Sequence, residues 1–278
     1  MKIIQLTPQL LNENKHNSHI FLNNMIHPTI NSKSWMNQWQ DIVSRFQLFK
    51  FLDLPIEDIL AHSWNEEFIE QVVNETVQLV KQHIELDDNL QITIVPALPF
   101  PWFSNIDQSI WTNGFTNSSQ SIWIAIPADP DILFLRYLLA HELHHAAPQN
   151  PIYKLTLDQF PLKDWYKMEG TAEYFSLQLF EDKRWWKESF TLEVEEHYIA
   201  EAKRFLNTND DSIKGPLCFG SIKQQIPYMA GYSFAYNAVM DYIKRYPIEN
   251  LNQLFEIDSE ELVMTYKLHS TKNQIRLH

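Results

Sequence analysis

Residues 129–148, DPDILFLRYLLAHELHHAAP, constrain this chain more than any other stretch. Aspartates and a proline precede an apolar run that Pro148 closes. The pattern predicts a helix with Asp129 as its cap, Pro130 at its first position and Asp131 against the positive end of the dipole. Inside it stand His141, Glu142, His144 and His145. Residues four apart share a helix face, so His141 and His145 can direct two imidazoles at one metal ion while Glu142 sits beside them. A composition-matched random chain would hold roughly 0.03 copies of this pattern, which makes coincidence a poor explanation. His144 could compete as a ligand, but only the 141/145 pair leaves Glu142 in position to act as a base.

A reactive zinc ion takes three protein ligands and keeps a fourth position open, so a third ligand is expected downstream. Residues 168–174, MEGTAEY, supply Glu169 and Glu173, which share a face of a second helical pattern running to about Phe180. One carboxylate can bind the ion. The other can accept the free N–H of a ligand histidine and fix its tautomer. The spacing alone does not say which glutamate does which.

HELHH followed by EGTAEY and a later PYMAGY resembles the gluzincin metallopeptidases, and more closely the YjaZ-like family of predicted zinc-dependent proteases. The likeness covers roughly residues 64–262. It implies an α+β gluzincin-like fold, mostly helical, with a small sheet beside the HExxH helix. It implies Glu169 as the third ligand, because the family pattern puts the binding glutamate before the glycine, and Glu173 as the outer carboxylate. It also implies a catalytic tyrosine in the PYxxG context at residues 227–231, which makes Tyr228 the candidate and Tyr232 its rival. No GxMEN-like element is present, so aminopeptidase activity is not implied. The expected chemistry is peptide-bond hydrolysis with Zn2+ as cofactor and a metal-activated water, Glu142 as general base and Tyr228 as oxyanion donor. A catalytically silent zinc protein that works by binding a partner is the alternative.

At 278 residues, with 45% hydrophobic and 13% aromatic content, the chain can bury a sizeable core. Its 22 basic against 35 acidic residues give a formal charge of -13, which disfavours nucleic acid and anionic membrane as partners. No stretch is long and apolar enough to suggest a membrane span. The lone Cys218 cannot form an intrachain disulfide, and the first residues lack the apolar run and cleavage site of a signal peptide. A cytoplasmic peptidase acting on peptide or protein substrates is therefore expected.

Along the chain, residues 1–33 read as a strand or loop-like lead. Residues 34–52 place Trp35, Trp39, Ile42, Val43, Phe46 and Phe49 near helical spacing behind a Ser34 cap. A longer helix starting at Ser63 and Trp64 carries an apolar face from Phe68 to Ile84, with His83 in solvent or at the core edge. Residues 90–95 and 121–126 read as strands, with 114–120 a lead into the second. In gluzincins that second strand is a sheet edge, which could add a substrate peptide; an ordinary buried strand is the other reading. Residues 149–161 and 207–221 read as loops, and 181–206 as one or two amphipathic helices around Trp185 and Trp186. Pro227 is expected at the start of a long helix bearing Tyr228, Tyr232 and Tyr236, with Gly231 and Ala235 on a face open to close approach by another helix. A last helix is expected over 259–268. The expected organisation is an N-terminal lobe, 1–150, holding the sheet and the HExxH helix, and a mostly helical C-terminal lobe, 151–278, the two forming one catalytic unit.

Overall fold

A computed structural model describes the chain except residues 33, 35, 100–105, 156–158, 188–189 and 268–278; Trp35 and Leu268, both assigned to helices above, lie outside the described residues. The chain divides into two compact units, Met1–Leu157 with Phe175–Arg184, and Asp158–Tyr174 with Trp185–His278.

The first unit opens with strand β1 (Lys2–Gln5), then helices α1 (Pro8–Glu13), α2 (Ser18–Ile26), α3 (Trp39–Arg45), α4 (Leu48–Leu52), α5 (Ile56–Ala61) and α6 (Glu66–Val80). The lead segment is thus a strand followed by helices rather than strand or loop throughout. Thr7 caps α1 through a bond from the Leu10 N–H, and Pro8 fills its first position. The helix expected over 34–52 is two helices, because Gln47 adopts a left-handed conformation (φ 54) between them. Its cap is Gln38, in a reciprocal box with Asp41, not Ser34. Asn65 caps α6 two residues later than Ser63.

Strands β2 (Gln91–Pro96), β3 (Asn113–Ser118) and β4 (Ser121–Ile126) complete a mixed four-stranded sheet of order β1-β2-β4-β3, in which β3 alone is antiparallel to its neighbour. Both runs read as strands are strands. The near-continuous apolar sequence of β4 reflects burial on both faces, and all six of its residues are buried. β4 is not an edge. It pairs with β2 on one side and β3 on the other, so its ladder groups are already engaged, and β3 takes the edge instead. Residues 114–120 are therefore most of the edge strand and a tight turn at Ser119 and Gln120, where the sequence reads as a lead into β4.

Side chains alternate across a sheet, and the alternation divides the unit. Val95, Trp123 and Ala125 join a core with Leu11, Leu22, Ile42, Phe46 and Phe51 from the N-terminal helices. On the other face, helix α7 (Ile132–Ala146) packs against α6, β3 and β4. Residues 1–60 thus cover the sheet face that α7 does not.

The second unit is helical. Helix α8 (Leu162–Leu179) contributes its residues up to Tyr174 here, followed by α9 (Leu192–Arg204), α10 (Asp211–Phe219), α11 (Ala230–Arg245) and α12 (Ser259–Thr265). α10 lies where a loop was expected: Asp210 caps it with a bond from Ser212 N–H, and its Lys214, Leu217 and Cys218 are buried. The Tyr198 hydroxyl donates to the Leu217 carbonyl and so can only accept from Tyr166, 2.9 Å away. The expected close approaches occur: a Cβ on Gly231 would lie 2.4 Å from the Leu217 and Cys218 carbonyl oxygens, and one on Gly170 2.4 Å from that of Ala235. Among the described residues no helix is long and apolar enough to cross a membrane.

Candidate metal centre

Helix α7 starts two residues later than its sequence suggests. Asp131, not Asp129, is its cap, accepting the Phe134 N–H at 2.9 Å, and the Asp131 N–H is itself tied to the Ser109 carbonyl. Ala147, held extended ahead of Pro148, ends the helix as expected. Almost every side of its second half is buried, including His141, Glu142, His144 and His145. An inward-facing histidine pair on such a helix loses its water, so its polar atoms need a partner of another kind.

The two ligand candidates meet. The Nε2 atoms of His141 and His145 stand 2.9 Å apart, with the ring planes at 90°. Two nitrogens bound to one tetrahedral zinc at about 2.0–2.1 Å would be about 3.3 Å apart, so the rings need only a slight opening to accept one ion. Glu169 joins them: ligand atoms of His141, His145 and Glu169 all lie within 4.8 Å of one another, and all three residues are buried. Two imidazoles and one carboxylate form a donor set suited to zinc, and a buried carboxylate beside two imidazoles is well matched to a dication. His144 does not belong to the group. Its ring packs on Phe175 at 5.2 Å.

Glu142 turns towards β3. The Thr116 hydroxyl lies 2.7 Å from its Oε2 and 2.9 Å from its main-chain carbonyl oxygen. Two residues away on the same face, Gly114 leaves open the space beside Oε1. The outer side of Gly114 is fastened by Arg45, whose Nη2 donates to the Gly114 carbonyl at 2.9 Å while its guanidinium sits 5.2 Å from the Phe115 ring. Neither Thr116 nor Gly114 carries a motif, and the sequence reading missed both. The signal was the antiparallel hairpin around Ser119 and Gln120, which sets Gly114 and Thr116 on the face of α7.

Tyr153 was missed as well. Its hydroxyl donates to the His145 carbonyl oxygen at 2.7 Å, and Asn150 Nδ2 adds a longer bond to the same atom at 3.3 Å. Carbonyls in the last turn of a helix have no partner within it, so these two side chains hold the backbone of His145. Burial, reinforced by the charge of Glu142, pushes the Tyr153 phenol far above its ordinary range, although about a third of the residue (37%) faces solvent. It remains a proton donor.

Glu169 and Glu173 both lie in the middle of α8, which begins seven positions before the first of them rather than at it, and both are buried. Gly170 sets the depth of that helix against α11, and the Glu169 charge, after burial, raises the thiol of Cys218 well above its usual range. Tyr228 does not sit on α11. Met229 is left-handed (φ 61) and starts that helix, so Pro227 and Tyr228 precede it, and the half-exposed Tyr228 ring stacks on Trp185 at 5.6 Å with an 8° tilt. The periodic stripe expected through Tyr228 is therefore restricted to Tyr232 and Tyr236. Ahead of Trp185 and Trp186, Arg184 is buried and paired with Asp182 at 2.9 Å.

The buried His141, His145 and Glu169 group fits a zinc site of the HExxH type. Residues 69–264 match a family described as "Predicted Zn-dependent protease (DUF2268)", and the chain belongs to that family. No curated protein and no solved structure matches it.

Proposed function

We propose that this protein is a zinc-dependent peptidase with a gluzincin-like catalytic arrangement, in which residues 1–150 and 151–278 work as one catalytic unit. The observation that carries the reading is the buried His141, His145 and Glu169 group, with Glu142 next to His141 in the chain and its carboxylate tethered to β3. When held by those three residues, zinc supplies a Lewis acid and brings the pKa of a water towards about 7. Glu142 takes the proton of the attacking water and returns it to the leaving amine. The phenol of Tyr228 donates to the oxyanion of the substrate, and Glu173 orients a ligand imidazole through its N–H. The cytoplasm is the working compartment that the lone, buried cysteine favours.

The test is a paired one. Glu142→Gln should bind about one zinc and cleave nothing across a diverse peptide library, while His145→Ala should lose the metal. Equal cleavage by both variants defeats the reading, and a wild-type protein that holds zinc yet cleaves nothing favours a silent zinc protein that binds a partner.

A further inference from the structure

We propose that Thr116 is the positioning residue of the base, fixing the Glu142 carboxylate by Oε2 so that Oε1 is the oxygen left to take a proton. The inference rests on the peptidase reading above and deepens it at the level of a single contact.

A helix places the backbone of Glu142 but not its carboxylate, which still has three rotatable bonds. The contact that removes this freedom comes from a strand. Thr116 Oγ1 lies 2.7 Å from Oε2 and 2.9 Å from the Glu142 carbonyl oxygen, so one hydroxyl touches both ends of the same residue. A hydroxyl has a single proton, and the charged oxygen is the stronger acceptor, so Oε2 receives it when the carboxylate is ionised. The other oxygen is treated differently. Oε1 lies over Gly114, where the strand offers only backbone. The two oxygens of one carboxylate thus acquire separate roles, one anchored and one open.

The strand is shaped at this point. The β3–β4 register shifts between Thr116 and Ser118, an irregularity of the kind that re-aims a side chain beside a functional site. On the other side, Arg45 pins the Gly114 carbonyl at 2.9 Å, which keeps this length of edge strand in place under α7. When Oε1 carries a proton, Oε2 is the carbonyl oxygen of the carboxyl group and still accepts from Thr116, so the anchor is kept through turnover.

The experiment compares Thr116→Val, Thr116→Ser and Glu142→Gln in the zinc-loaded protein, with zinc content, unfolding midpoint, steady-state peptide hydrolysis and calorimetric affinity for a peptide hydroxamate measured on each. Valine keeps the shape and removes the hydroxyl; serine keeps the hydroxyl. Thr116→Val should retain zinc and fold, lower kcat by about 10- to 100-fold with KM changed less than about 2-fold, and weaken hydroxamate binding by about 10-fold. Thr116→Ser should match wild type on all four measurements. Adding Thr116→Val to Glu142→Gln should cost nothing further, because the anchored carboxylate is already gone. Full kcat in Thr116→Val, failure of serine to rescue, or loss of zinc or fold in the valine variant each overturns the proposal and leaves the peptidase reading standing, provided that Glu142→Gln is inactive. A wild-type protein without hydrolytic activity overturns both.

Discussion

A Cβ on Gly114 would lie 2.5 Å from Oε1 of Glu142 and 2.6 Å from its Cγ, closer than real side chains come. The atoms it would strike are the far end of a flexible side chain, so the fold can accept a methyl group by displacing the carboxylate. Gly114→Ala should therefore leave stability almost unchanged, since alanine in a strand costs less chain entropy than glycine and offsets local crowding by about 0.5–1 kcal/mol. Peptide hydrolysis should fall by about 100-fold, the usual consequence of misplacing a reacting group by an ångström. Thermal melts and initial rates on the same preparation check this; a stable, fully active alanine variant would mean that the position of the carboxylate is unimportant.

Tyr153 offers a contrast, because its contact is with the backbone of His145. Tyr153→Phe removes the 2.7 Å bond to the His145 carbonyl and leaves only the longer one from Asn150. The expected loss is about 1 kcal/mol, or a fall in Tm of about 2–4 °C for a chain of this size. The pH dependence has a definite sign. Burial and the Glu142 charge raise the phenol in the folded state, so its contribution is complete below the unfolded value of about 10 and is lost as pH rises above it towards the folded value. The gap in Tm between wild type and the phenylalanine variant should be flat from about pH 6 to 9 and close above about pH 10. A gap that grows with alkali would show that the hydroxyl is not held as a donor.

Gly170 tests how Glu169, the proposed third ligand, is placed. Here the obstacle is backbone, with the Ala235 oxygen 2.4 Å and its carbonyl carbon 2.7 Å from a new Cβ, and neither can swing aside. Gly170→Ala should cost about 1–3 kcal/mol by overpacking and, by shifting α8 at the residue after Glu169, lower the zinc-to-protein ratio after dialysis. Metal content by elemental analysis, alongside a melt of the chelated protein, separates the two effects. Undiminished zinc in a destabilised variant would disconnect the helix crossing from the ligand.

These residues also mark what could be read from the chain. The HExxH helix was visible because everything that makes it is local: a cap, an i, i+4 pair and a closing proline. β2 and β4 were visible as runs of buried apolar residues. β3 was not, since its glycine, threonine, asparagine and serine have the composition of a turn and become a strand only by pairing with β4. The partners of Glu142 on that strand were hidden for the same reason, being joined to it by sheet alternation rather than by spacing. α10 has the local composition of a loop, because Gly215 and Pro216 are poor helix formers, yet burial of Leu217 and Cys218 overrides local preference. The N-terminal helices were hidden likewise, in an asparagine-rich stretch whose Leu11, Leu22 and Ile26 find burial only against the sheet.

The choice between the two glutamates of α8 can be made by linkage. Glu169 shares the 4.8 Å group with both imidazoles, whereas Glu173, one turn further along, does not belong to it. A ligand that binds only the folded chain raises stability by an amount set by its concentration over Kd, about 4 kcal/mol at a thousandfold excess. Zinc added to metal-free wild type at that excess should raise Tm by roughly 8–16 °C. Glu169→Gln exchanges an anionic ligand for a neutral amide and should abolish most of that rise. Glu173→Gln should keep it at saturating zinc and lose only about 10- to 100-fold in affinity, the effect expected of a residue that orients a ligand. A reversed order, with the larger loss at Glu173, would move the metal one turn along α8 and transfer the ligand role to that residue.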